Sequence, residues 1–176
     1  MTSIIAIVGR PNVGKSTLFN RLSRSMDSIV DDQPGVTRDR NYATVNWEGK
    51  SFIIVDTGGF DEKDDGPFSE QVRQQVIKAI EEADQILFMM DGRSGLVPAD
   101  EEVASILRRY EKKTYTVVNK IDSPEKENLL HDFYSLGVDT IYPLSSAHGY
   151  GLRTLMDDIA GSLPDDTAPA RGNTPA

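Results

Sequence analysis

Gly9-Arg10-Pro11-Asn12-Val13-Gly14-Lys15-Ser16 fits the spacing G-x-x-x-x-G-K-S, with Thr17 and the apolar pair Leu18-Phe19 directly behind it. This spacing suits the holding of a polyphosphate. Glycines let the main chain wrap closely, N–H groups of the loop and of a helix start supply positive potential, and Lys15 adds a full charge. Ser16 is placed to offer Mg²⁺ a hydroxyl oxygen. From average residue frequencies the pattern arises by chance in a chain of this length on the order of 1% of the time, so an incidental glycine-rich turn is the weaker reading. Every residue of this stretch, from Gly9 through Arg10, Pro11, Asn12, Val13, Gly14, Lys15 and Ser16 to Thr17, is therefore a candidate phosphate contact.

Asn119-Lys120-Ile121-Asp122 follows the apolar run Thr116-Val117-Val118. A carboxylate only accepts, so Asp122 can take both N1–H and the exocyclic N2–H₂ of guanine, whereas adenine presents an acceptor at N1. A mismatched base would leave buried polar groups unpaired at about 1–3 kcal/mol each. The competing reading makes Asp122 or Ser123 a cap for a helix starting at Pro124. A third segment, Asp56-Thr57-Gly58-Gly59, ends an apolar run at Val55. There Asp56 can hold the water shell of Mg²⁺ while the Gly59 N–H approaches a terminal phosphate. Alone, Asp-x-x-Gly is commonly only a turn; its weight comes from its order between the other two segments.

Positioning these loops requires strands and helices. Apolar runs of strand length lie at 4–8, 52–55, 86–90, 116–118 and 140–144, most of them separated by segments of helical periodicity. The stripes are Val72, Val76, Ile80 and Ala83; Val103, Ile106, Leu107 and Tyr110; Leu129, Leu130, Phe133 and Leu136, closed by Gly137; and Leu152, Leu155, Met156, Ile159 and Leu163. Met89 and Met90 read as strand core. Alternation of strand and helix predicts a mostly parallel sheet covered on both faces. Residues 41–48 and 51–56, joined at Gly49-Lys50, read as a hairpin that adds an antiparallel edge.

The 176 residues suit one domain with a short remainder, and no internal repeat is visible. After Leu163 the composition turns to Pro, Ala, Asp and Thr without apolar anchors, so 164–176 is expected to be a tail or linker behind a domain at 1–163. Nineteen Lys and Arg against 28 Asp and Glu give −9, which argues against diffuse attraction to nucleic acid and requires a local site for any anion. The charge is uneven: residues 1–40 sum to +2 and the rest to −11. With no cysteine, disulfides, iron–sulfur clusters and thiol nucleophiles are excluded. The longest apolar runs are far short of the ~20 residues that span a bilayer, and the first residues lack a basic signal-peptide start, so a cytoplasmic protein without a membrane partner is expected.

The ordered set resembles the translation-factor-like P-loop GTPases, whose signatures run here from Gly9 to Ala147. The resemblance implies an α/β, three-layer P-loop NTPase of the Ras-like kind, with a mostly parallel six-stranded sheet, one antiparallel edge strand and helices on both faces. It implies that Thr37, in Pro34-Gly35-Val36-Thr37-Arg38-Asp39-Arg40, closes on Mg²⁺ and the terminal phosphate, and that Ser146-Ala147 touch the guanine carbonyl. With Asp91-Gly92-Arg93-Ser94-Gly95-Leu96 added, the set resembles more particularly the first GTPase domain of the EngA (Der) family. Members of that family carry a second GTPase domain and a KH-like domain and act in assembling the large ribosomal subunit, so the chain is expected to be part of a longer protein.

Many GTPases place a water-orienting glutamine after Asp-x-x-Gly, and here Phe60 stands there. A hydrocarbon ring cannot orient water, so hydrolysis must rest on electrostatics around the β- and γ-phosphates. The resemblance implies that the Asn12 amide oxygen helps bind K⁺ between them. Lys15, Thr37, Gly59 and Asn12 are then expected to carry hydrolysis of GTP to GDP, at ~10⁻⁴ to 10⁻² s⁻¹ by analogy with unassisted GTPases. Arg38 and Arg40 read as solvated or partner-facing. The alternatives are a nucleotide-gated binding module with negligible hydrolysis, a related single-domain GTPase, and a P-loop ATPase or kinase.

Overall fold

The structure is a computed structural model that describes residues 2–25, 29–31, 41–57 and 69–164. Its first strand, β1 (Ser3–Val8), is apolar on both faces: Ile5 and Ile7 join one core, Ala6 and Val8 the other. A strand with two dry faces must be covered twice. β5 (Gln85–Asp91) repeats the pattern and is buried throughout, Leu87 and Met89 facing the first core, Ile86, Phe88 and Met90 the second. The helices α1 (Lys15–Ser25) and α4 (Leu152–Ser162) close the first core with Leu18, Leu22, Leu155 and Ile159. The second is closed by α2 (Glu70–Glu82), α3 (Pro98–Arg108) and a 3₁₀ helix, Pro124–Leu136, through Val76, Ile80, Val103, Ile106 and Phe133.

The remaining strands are β2 (Ile29–Asp31), β3 (Asn41–Trp47), β4 (Lys50–Asp56), β6 (Lys113–Asn119) and β7 (Ile141–Pro143). They form one sheet in the order β2-β3-β4-β1-β5-β6-β7. All neighbours from β4 to β7 pair in parallel; β3 is antiparallel to both β4 and β2. The expected three-layer architecture stands, with two refinements. A seventh strand, β2, lies outside β3, so the antiparallel strand is one place in from the edge. At three residues β2 is too short to show a period in the sequence. The hairpin turn is Glu48-Gly49, with Trp47 opposite Lys50, one residue earlier than expected. Both turn residues have positive φ, 49° and 86°, as a twist-matched two-residue turn requires; the ladder forces Glu48 into a conformation its own preference does not signal.

The stripe at 129–136 also differs from expectation. Leu130, Phe133 and Leu136 are buried at strict three-residue spacing, and Leu129 is exposed. In a 3₁₀ helix i and i+3 eclipse, so these three share one face and Leu129 cannot join it. A 3₁₀ run of this length is uncommon. Gly137, at φ 82°, ends it and donates its N–H to the Tyr134 carbonyl.

Because β1, β4, β5 and β6 are parallel, their carboxyl ends lie along one edge. The chain leaves β1 toward β3 and β4, then crosses back to β5 on the other side. Loops after strands flanking such a reversal converge on a crevice. Among the described residues no helix is long and apolar enough to cross a membrane.

Phe133 is fully buried and is the largest side chain that the 3₁₀ helix contributes to its core. Phe133→Ala is expected to lower unfolding free energy by ~3–5 kcal/mol, measured by urea denaturation.

Candidate functional site

The loop 9–14 leaves β1 at Val8 and delivers Lys15 as the first residue of α1. The first turn of α1 carries no acidic side chain of its own, so none of its residues offsets the positive potential of its main-chain donors. Asn12, exposed at the loop tip, adopts φ 69°, a left-handed conformation that asparagine tolerates better than most residues. Lys15 is 4% exposed and its ammonium donates to the carbonyls of Gly9 at 3.0 Å and Arg10 at 2.8 Å. The loop thus wraps around its own cation.

β4 runs beside β1 with Asp56 opposite Ile7. The Ser16 hydroxyl donates to the Asp56 carboxylate at 3.0 Å, and the Thr57 hydroxyl to the Ile7 carbonyl at 3.0 Å. These contacts set two hard oxygen donors, Ser16 Oγ and the Asp56 carboxylate, side by side at the start of α1. That donor set fits Mg²⁺, which takes one or two protein oxygens and completes its shell with water and phosphate.

Across the crevice, β6 ends at Asn119, whose buried carboxamide bridges two loops. Nδ2 donates to the Val13 carbonyl and Oδ1 accepts the Ser146 N–H, each at 2.8 Å. A Cβ on Gly14 would lie 2.1 Å from Nδ2, so only glycine lets the phosphate loop come this close. Arg21 of α1 clamps the 146–147 segment from the other side, donating to the carbonyls of Ser146 and Ala147 at 2.7 Å each. Ser145 Oγ accepts the His148 N–H at 3.0 Å, which makes this segment a tight turn as well as a site wall.

Lys120 adopts φ 72°, and its ammonium lies 2.8 Å from Asp91 at the end of β5. Burial works to raise the Asp91 carboxyl, but the hydrogen bond from Lys120 and the N–H groups of Arg93 and Ser94 outweigh it and hold it below the usual carboxylate range. Asp122 is lowered chiefly by its hydrogen bond with Lys126, 3.1 Å away, so it is an ionised acceptor at neutral pH. Ser123 occupies the helix-cap position without a side-chain capping bond. Gly14, Thr17, Asn119, Lys120, Asp122 and Ser146 share a cavity of about 180 Å³. A larger one, about 510 Å³, opens near Arg108, Lys112 and Tyr142, and none of these motif residues lines it.

The structure thus gathers candidates from Gly9 to Thr17, Asp56, Thr57, Asn119, Lys120, Asp122, Ser146 and Ala147 at one end of the sheet. Thr37, Arg38, Arg40, Gly58, Gly59 and Phe60 lie outside the described residues. Sequence reasoning missed Arg21, Asp91, Arg93 and Asp100. Arg93 lines the smaller cavity, and Asp100, fully buried, faces Arg10. Asp91 carried a usable signal, ending a strand as Asp56 does; the others depend on contacts between elements distant in the chain.

Residues 4–120 match the family model described as 50S ribosome-binding GTPase. The chain belongs to this GTPase family. The GTPase domain is 55% identical over 169 residues to GTPase Der of Trichlorobacter lovleyi, covering 96% of this chain and 38% of that protein. It therefore spans well under half the length of such relatives. Among solved structures it is similar to an Era variant from Aquifex aeolicus bound to GDP·AlF₄⁻, with TM-score 0.71 and 32% identity over 93% of this chain and 57% of that one. It is also similar to the G domain of the T. maritima FeoB iron transporter, with TM-score 0.64 and 25% identity over 92% and 98%.

Gly14→Ala is expected to leave the domain folded while separating the phosphate loop from Asn119. The Asn119 side-chain amide protons should then lose protection in hydrogen-exchange NMR, and nucleotide affinity should fall at least tenfold.

Proposed function

We propose that this domain is a GTP-binding and GTP-hydrolysing switch, Mg²⁺-dependent and K⁺-stimulated, in a longer protein that acts on the large ribosomal subunit. The observation that carries the reading is the convergence of Lys15, the Ser16–Asp56 pair and Asp122 on one crevice, tied together by Asn119. Main-chain donors of residues 9–17 and the Lys15 ammonium bind the polyphosphate. Asp122 accepts N1–H and N2–H₂ of guanine. The Ser146 N–H is already given to Asn119, so the contact to the guanine carbonyl falls to Ala147. Ser16 and Asp56, with Thr37, would hold Mg²⁺, which would supply positive charge beside the phosphates.

Phe60 offers no proton acceptor, so turnover is slow and leans on positive charge beside the phosphates. Asn12 presents an exposed amide oxygen at the loop tip, where K⁺ would add that charge. Loss of the terminal phosphate releases Thr37 and Gly59 and changes the surface offered to a partner. The ribosomal partner, the second GTPase domain and the KH-like domain follow from the likeness to GTPase Der, and the cytoplasm is the compartment they require. A nucleotide-gated module with negligible hydrolysis is the second reading, favoured by Phe60 alone.

Phosphate release is expected to be faster in KCl than in NaCl at equal ionic strength; equal rates remove Asn12 as a K⁺ ligand, and no release above background selects the gated module. Asp122→Asn is expected to weaken GDP ~10- to 100-fold and to strengthen xanthosine diphosphate, whose C2 carbonyl needs a donor. Calorimetry with both nucleotides reads the exchange, and unaltered GDP affinity would reject the base assignment.

A further inference from the structure

Asp100 belongs to none of the sequence motifs, yet its side chain is 0% exposed. One oxygen, Oδ2, accepts the Val97 N–H at 3.1 Å at the start of α3. The other, Oδ1, lies 3.4 Å from Nε of Arg10 in the phosphate loop. Nε and Oδ1 are both buried without a hydrogen-bond partner, so the contact is ionic and unrelieved. Such a pair is a poor device for stability, because desolvating two charges offsets their attraction. Burial pushes the Asp100 carboxyl up to about 6, against the pull of the Val97 N–H and Arg10, with Asp91 adding to the rise. Keeping this group ionised at neutral pH therefore costs folding free energy.

The contact leads into the site. The Arg10 carbonyl accepts the Lys15 ammonium at 2.8 Å, and the Arg10 guanidinium donates to the Pro11 carbonyl at 3.3 Å. We propose that Asp100 is a positioning residue for nucleotide binding: its carboxylate holds the Arg10 side chain against α3, which fixes the Arg10-Pro11 stretch and the carbonyl that seats Lys15. The inference rests on the nucleotide reading of the site and extends it to α3. Asparagine cannot replace the carboxylate, since an amide that accepts from Val97 turns its NH₂ toward another donor, Arg10.

The test compares wild type, Asp100→Asn, Arg10→Met and the double variant, titrating each with a fluorescent GDP analogue in Mg²⁺ and measuring Tm without nucleotide. Asp100→Asn is expected to weaken the analogue roughly tenfold and to lower Tm by leaving Arg10 unpaired, and to cause neither loss in the Arg10→Met background. Wild-type affinity in Asp100→Asn overturns the proposal. An equal loss in the Arg10→Met background also overturns it, because Asp100 would then act through α3 alone. If Asp100→Asn does not fold, Asp100→Ser, which retains an acceptor for Val97, carries the same expectation. A wild-type domain that does not bind the analogue overturns the site reading and this inference together.

Discussion

The site depends on the carboxamide of Asn119. A primary amide presents an acceptor and donors in one rigid plane, so a single side chain fixes both the distance and the angle between its two partners. Here those partners are the Val13 carbonyl, in the loop after β1, and the Ser146 N–H, in the loop after β7. Asn119 itself ends β6 and is 3% exposed. Removing either atom strands a buried main-chain group, and a carboxylate in its place could serve Ser146 but not Val13. The cleft between the loop after β1 and the loop after β7 therefore has a width set by one hydrogen-bonded plane, with Gly14 packed against it.

Around this bridge the charges are arranged locally, in a chain whose net charge is −9. Four acids at this end of the sheet face a donor or cation: Asp56 the Ser16 hydroxyl, Asp91 Lys120, Asp122 Lys126 and Asp100 Arg10. The N-terminus of α1 and the buried Lys15 ammonium then leave positive potential inside the crevice. Acids elsewhere on the surface are screened over about 8 Å at physiological salt. The field inside the crevice can therefore be positive although the protein as a whole is acidic.

Two of the four described non-glycine residues with positive φ lie at this place, the others being Glu48 and Glu111. Asn12 and Lys120 both have left-handed φ without being glycine, which costs on the order of 1–3 kcal/mol for each such residue. Such conformations persist where neighbouring contacts over-determine them. Lys120 is pinned by Asp91 at its tip and by the Asn119 bridge one residue before it. The two dry cores on either face of the sheet supply the stability that offsets this strain.

The sequence by itself determined the alternation of strand and helix, because continuous apolar runs demand cover on both faces and apolar residues at spacings of three to four on one. It also offered two contiguous motifs, the loop 9–16 and Asn119-Lys120-Ile121-Asp122, legible from residue type and spacing alone, which the fold brings to one crevice. Tertiary structure alone decided the rest. Strand β2 gains its place from pairing with β3, since three residues have no period; the three-residue winding of Pro124–Leu136 follows from which side of Leu130 meets the core. Arg21, Asp91 and Asp100 act on residues up to 126 positions away in the chain, and no local pattern encodes a contact that exists only once the sheet has brought its strand ends together.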